Sequence, residues 1–166
     1  DNENNYLCTM AENLIISDGT KEQKYQTLLQ QVIALAENES DTIALMANIS
    51  SMIHHTFGFF WTGFYRVSGD ELVLGPFQGP LACTRIKFGR GVCGTSWKRA
   101  ETVIVADVDK FPGHIACSSA SRSEIVVPVF EDSRVTAVLD IDSDKTDTFD
   151  QTDKEWLEKI CRMIAG

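Results

Sequence analysis

The stretch EIVVPVFEDSRVTAVLDID, residues 124–142, decides the fold. Two runs rich in Val, Ile and Leu flank the polar quartet Glu131-Asp132-Ser133-Arg134, a pattern that predicts a β-hairpin turning at Asp132-Ser133. Side chains alternate between the two faces of a strand. Val135, Ala137, Leu139 and Ile141 therefore share one face, and Thr136, Val138, Asp140 and Asp142 share the other. On the incoming strand Glu124 shares its face with Val126, Pro128 and Phe130. Pairing about the turn brings Glu124 to the same end as Asp140 and Asp142. Aspartate is disfavoured inside strands, so its presence in an otherwise hydrophobic run draws notice. The plain alternative is a solvent-facing strand end that leads into the loop Ser143-Asp144-Lys145.

Working outward, a second hairpin precedes this one. FFWTGFYRV, residues 59–67, alternates Phe59, Trp61, Gly63, Tyr65 and Val67 against Phe60, Thr62, Phe64 and Arg66. SGDE reads as its turn and LVLGPF, residues 72–77, as the returning strand. Trp61 and Tyr65 suit either a core or the wall of a pocket. LACTRIK reads as a loop, and GRGVCGTSW, residues 89–97, as a glycine entry into a short helix reaching Arg99. TVIVADV reads as a strand. DKFPGHIACSSAS, residues 109–121, reads as a loop with room for one helical turn.

Helical periodicity appears at both ends of the chain. Tyr25, Leu28, Leu29, Val32, Leu35 and Ala36 recur at helical spacing after Asp18-Gly19-Thr20. A second helix begins near Ser40 or Asp41, carries Leu45, Met46, Ile49, Met52 and Ile53, and stops at Gly58. Its last residues, His54 and His55, suit the negative end of the helix dipole. A final helix runs from about Asp150 to Ile164, with Trp156, Leu157, Ile160 and Met163 inward. The expected class is α+β: one sheet, mostly antiparallel, with helices packed on it. Residues 1–19 read as a tail or extension and residues 20–166 as a single domain.

The chain has 166 residues and a net charge of −9. Such acidity argues against a nucleic-acid surface, which needs a basic stripe, and against binding to anionic membranes. No run approaches the roughly 18 apolar residues of a membrane span. The opening DNENNYLC lacks the basic-then-apolar pattern of a secretory leader, so a reducing, cytoplasmic setting is expected. There the five cysteines are not expected to form a stable disulfide framework. Cys8 lies in the tail, and Cys161 in the last helix reads as core filler. Cys83, Cys93 and Cys117 lie in segments that read as loops or glycine-rich turns. Structural disulfides, metal ligands, core filler and redox groups all remain open for them.

GPLACTRIKFGRGVCGTSW, HIACSSASRSEIVVPVF and VLDIDSD closely resemble the free methionine-R-sulfoxide reductases, which are single-domain GAF proteins. The resemblance runs from about Lys24 to Ile164. It implies a central six-stranded antiparallel sheet with helices on both faces, a homodimer, and no cofactor or metal. It also implies reduction of free L-methionine (R)-sulfoxide, with thioredoxin as electron donor. By the same resemblance Cys117 is the catalytic cysteine, Cys83 resolves it, and Cys93 is a further partner for disulfide exchange. It also has Glu124, Asp140 and Asp142 hold the substrate and Trp61 and Tyr65 form the aromatic pocket; crowding of the carboxyls, which forces one pKa upward, points to Glu124 or Asp142 as proton donor. An acidic cluster explains restriction to the free amino acid, whose ammonium a peptide-bound methionine lacks. It also opposes thiolate formation at Cys117 if the two are adjacent. Two rivals stand beside this reading. One is a GAF module that binds a ligand without catalysis, since a fold does not fix a function. The other is a zinc site built from Cys83, Cys93, His114 and Cys117, for which the usual paired spacing is missing.

Overall fold

The sheet forms where alternation is strongest. In a computed structural model describing residues 13–115 and 117–164, the two expected hairpins are present. β1 (Trp61–Ser68) pairs with β2 (Glu71–Gln78), and β5 (Ser123–Glu131) pairs with β6 (Arg134–Ser143), both antiparallel. Asp132 and Ser133 both take positive φ, 48° and 65°, the conformation of a tight two-residue hairpin turn. Two short strands complete the sheet: β3 (Arg85–Lys87) on β2 and β4 (Val103–Val105) on β5. The order is β3-β2-β1-β6-β5-β4, so β1 and β6 are the central pair.

Four helices cover the two faces. α1 (Lys21–Asn38), α2 (Thr42–Phe57) and α4 (Gln151–Cys161) lie on one side, and α3 (Gly91–Arg99) lies on the other. Capping fixes where they start. Thr20 and Gln23 form a capping box on α1, Asp41 accepts from the Ala44 N–H on α2, and Asp150 and Asp153 form a second box on α4. Gly58 ends α2 in the left-handed conformation, with φ 67°.

The larger core lies between the sheet and the three helices. Phe64, Ile125, Val127, Leu139 and Ile141 meet Tyr25, Leu28, Ile49, Ile53, Leu157 and Ile160 there. Full burial of each such side chain stabilises by roughly 1.5–3 kcal/mol. Asp153, buried between α1 and α4, accepts from the Tyr25 hydroxyl at 2.7 Å and from Lys21 Nζ at 2.6 Å. The smaller core lies under α3, where Trp61, Tyr65, Leu72, Val126 and Val138 meet Val92 and Cys93.

Some details depart from the pattern. β1 begins at Trp61, so Phe59 turns into the larger core against Phe57 and Phe149, while Phe60 joins the smaller one. Strict alternation had put Phe59 with Trp61. A bulge between Val129 and Phe130 shifts the pairing from Val129↔Ala137 to Phe130↔Val135. Val135 thereby faces the smaller core rather than lying with Ala137. The stretch LACTRIK contains β3, and TVIVADV supplies only three strand residues. The helical turn in the following loop is a 3-10 turn at Val108–Lys110. The expected tail falls mostly outside the described residues, Cys8 with it. Of the rest, Ile15 exchanges two 2.8 Å hydrogen bonds with the Gln31 side chain on α1.

Candidate active site

Strand register assembles the carboxylates. Glu124 on β5 stands opposite Asp142 on β6, and Asp142 stands opposite Trp61 on β1. One pleat along, Asp140 lies between Val126 and Gly63. All of these point toward α3 rather than the helical triplet. Gly63 matters because a Cβ there would collide with the Trp61 ring and with Phe77. The missing side chain lets the indole lie across the strand. Trp61 stacks on Phe77, with centroids 5.3 Å apart, and on Tyr65 at 6.0 Å.

These groups line a cleft of about 550 Å³, open solvent at its mouth included. Glu124, Asp140, Asp142 and Cys93 line it together with the aromatic pair Trp61 and Tyr65. The loop after β4 contributes His114 and Cys117. Trp61 Nε1 donates to the Pro80 carbonyl at 3.0 Å and the Tyr65 hydroxyl to the Cys83 carbonyl at 2.9 Å, so the aromatic wall also fixes the loop that carries Cys83.

Cys83 and Cys117 are joined in a disulfide across 34 positions of sequence, with Cα atoms 5.5 Å apart. Cys117 is exposed. Cys93 and Cys161 are free and buried, Cys161 in the larger core. The thiol against the carboxylates is thus Cys93, whose Sγ lies 3.9 Å from Glu124 Oε1. The sulfur of Cys93 and one oxygen each of Glu124 and Asp140 lie within 4.8 Å of one another. The set Cys83, Cys93, His114 and Cys117 is not assembled as a zinc centre here, because two of its sulfurs are bonded to each other. His54 and His55 end α2 and do not line the cleft.

The cleft is electrostatically lopsided. Glu124 is 6% exposed and Asp140 7%. Burial, with Asp140 and Asp142 adding, pushes the Glu124 carboxyl well above its usual range. Burial, with Asp140, does the same to Asp142, although Ser121 donates to its Oδ1 at 2.5 Å. Burial pushes Asp140 to about 6, and hydrogen bonding to Glu124 and Cys93 holds it back from going further. All three carboxyls are therefore harder to ionise than free ones. Burial also pushes the Cys93 thiol up, reinforced by Asp140 and Glu124, and pushes the His114 imidazole down. His114 Nε2 approaches Glu124 Oε2 to 3.8 Å.

All eight sequence-predicted residues converge: seven line the cleft, and Cys83 joins it through its bond to Cys117. Sequence reasoning missed Ser121. A serine within Ser118-Ser119-Ala120-Ser121 has no pattern to separate it from its neighbours, and only the fold aims it at Asp142.

The GAF domain family model matches residues 41–166. GAF domain-containing protein A of Dictyostelium discoideum is 53% identical over 156 residues, covering 93% of this chain and 99% of that one. The free methionine-R-sulfoxide reductase of Saccharomyces cerevisiae is 42% identical over 157 residues, covering 89% and 87%. Among solved structures, the free methionine-R-sulfoxide reductase of Neisseria meningitidis in complex with its substrate superposes with a TM-score of 0.89. Its identity is 50%, and the match covers 92% of each chain.

Proposed function

The chain belongs to the GAF domain family, among its free methionine-R-sulfoxide reductases, and from that premise we propose that it reduces free L-methionine (R)-sulfoxide to L-methionine. One observation carries the reading: a disulfide joins an exposed cysteine of the cleft to a neighbouring loop, above a floor of three carboxyl groups. In this reading the structure is the oxidised state that follows a turnover.

The reaction begins after reduction of that disulfide. The substrate ammonium is held by Asp140 and Asp142 through charge-assisted hydrogen bonds, and its S-methyl group rests on Trp61 and Tyr65. The thiolate of Cys117 attacks the sulfoxide sulfur. Glu124, which burial keeps protonated, delivers a proton to the oxygen. Oxygen passes to Cys117 as a sulfenic acid and methionine leaves. The Cys83 thiol condenses with the sulfenic acid, releasing water and forming the disulfide. Thioredoxin, the proposed reductant, returns both sulfurs to thiols by exchange. The reading extends, on family resemblance alone, to a homodimer working in the cytoplasm.

A GAF module that binds without catalysis leaves the disulfide at the cleft without a role. NADPH consumption with thioredoxin and its reductase, run separately on the free R epimer, the free S epimer and a peptide-bound sulfoxide, tests the proposal. Turnover of the free R epimer alone is expected. No turnover of any substrate, or equal turnover of the peptide, refutes it.

A further inference from the structure

The scheme above runs through Cys117 and Cys83; Cys93, which the resemblance casts as a further partner for disulfide exchange, sits against the carboxyls of the cleft. It is 3% exposed and takes no part in the disulfide. Its sulfur and one oxygen each of Glu124 and Asp140 lie within 4.8 Å of one another. Asp140 Oδ1 is buried and has no hydrogen-bond partner. A buried oxygen left in this way is costly, so the arrangement favours a cation that would occupy it. Among the described residues no Lys lines the cleft, and the single lining Arg, Arg90, is exposed. An ammonium group satisfies carboxylates but gains little from a thiol. A thiophilic divalent metal uses both donor types.

We propose that Cys93, Glu124 and Asp140 form a binding site for a thiophilic divalent cation of the Zn²⁺ class, which takes the seat of the substrate's ammonium and closes the cleft to the amino acid. The metal site stands on these donors alone; the competition with substrate rests on the function proposed above. Tetrahedral zinc with bonds of about 2.0–2.3 Å holds its donors about 3.3–3.8 Å apart, close to the 3.9 Å between Cys93 Sγ and Glu124 Oε1, so the side chains need draw in by no more than about 1.5 Å. The fourth position is left to water. Binding exchanges the thiol proton of Cys93 for the metal: the S–H bond breaks, a sulfur–metal bond forms, and the proton passes to buffer with no change of oxidation state.

The metal-free protein, with its Cys83–Cys117 disulfide closed, is titrated with Co²⁺, and the thiolate-to-cobalt charge-transfer absorption is followed. In that state neither Cys83 nor Cys117 can supply the thiolate. The band should appear, be displaced by Zn²⁺, vanish in Cys93→Ser and survive in Cys161→Ser. Because a thiol replacement can disturb packing, Asp140→Asn is the second variant. Loss of this ligand should weaken Co²⁺ binding by at least about tenfold, the lower end of what even outer-sphere changes cost. Free L-methionine should raise the apparent Co²⁺ dissociation constant if metal and amino acid share a seat. Absence of the band in the unmodified protein, or its persistence in Cys93→Ser, overturns the site. Co²⁺ binding indifferent to methionine overturns the competition. Neither readout needs turnover, so failure of the metal site leaves the reductase reading intact, and the reverse also holds.

Discussion

At the scale of single residues, burial sets the chemistry. Desolvation beside Asp140 and Asp142 pushes the Glu124 carboxyl well above its usual range, which suits it to the general-acid role proposed above. A general acid of this kind contributes about 10²–10⁴-fold to rate, so Glu124→Gln should lose kcat on that order with a smaller change in KM. In the unmodified enzyme kcat should fall as pH rises through the elevated Glu124 value, and the variant should lack that limb; steady-state pH profiles read both. Cys117→Ser should abolish reduction. Cys83→Ser should still release one methionine per chain in a single-turnover experiment and then stall, which rapid-quench detection of methionine checks. Asp140 adds a stability prediction. Its value rises from 3.8 to about 6 on folding, so the folded state holds the proton longer than the unfolded chain. That contribution is present below about 3.8 and is lost as pH rises to about 6. At about 1.4 kcal/mol per pH unit the loss is on the order of 3 kcal/mol. Asp140→Asn should flatten the pH dependence of stability over that window and make the ligand-free protein more stable near pH 8, as urea unfolding at several pH values will read.

At the scale of elements, much was legible because local signals agreed. Thr20, Asp41, Gly58 and the Asp132-Ser133 turn mark boundaries by capping and turn chemistry, and the structure uses each of them. The misplacements occurred where tertiary contacts override period. Phe59 belongs to the larger core because α2 ends beside it in Phe57. Val135 changes face because one residue bulges. β3 is strand-like only because Glu71–Val73 is there to pair with it. Gly63 sits where β1 and β2 change register, and its absent Cβ leaves space that Phe77 and the Trp61 ring fill. Gly63→Ala should therefore destabilise by about 1–3 kcal/mol through overpacking. It should also raise KM by displacing the aromatic wall, and denaturant melts paired with initial-rate kinetics separate the two effects.

At the scale of the whole molecule, the Cys83–Cys117 bridge ties the β2–β3 connection to the loop that leads into β5, across 34 positions. Chain-entropy arguments put the stabilisation from a loop of this length at about 3–4 kcal/mol as an upper figure. A protein of this size shifts its Tm by about 2–4 °C per kcal/mol. Reduction should therefore lower Tm by several degrees without loss of helix or sheet, measurable by far-UV circular dichroism with and without a phosphine reductant. Each turnover would then cycle the protein between a tighter and a looser state.

The sequence by itself determined the α+β class, the two hairpins, the caps and the shared faces of Asp140 with Asp142 and of Trp61 with Tyr65. These rest on neighbours a few positions apart and on periods of 2 and 3.6. Family resemblance supplied the pairing of Cys83 with Cys117, which spacing alone left open. Only the tertiary structure decided that Cys93, and not Cys117, touches the carboxylates, that Ser121 holds Asp142, and that Asp140 keeps an oxygen without a partner. Those facts depend on how α3 and the loop of residues 106–122 settle over the sheet, and burial in the cleft, rather than residue identity, shifts the ionisation of its carboxyls.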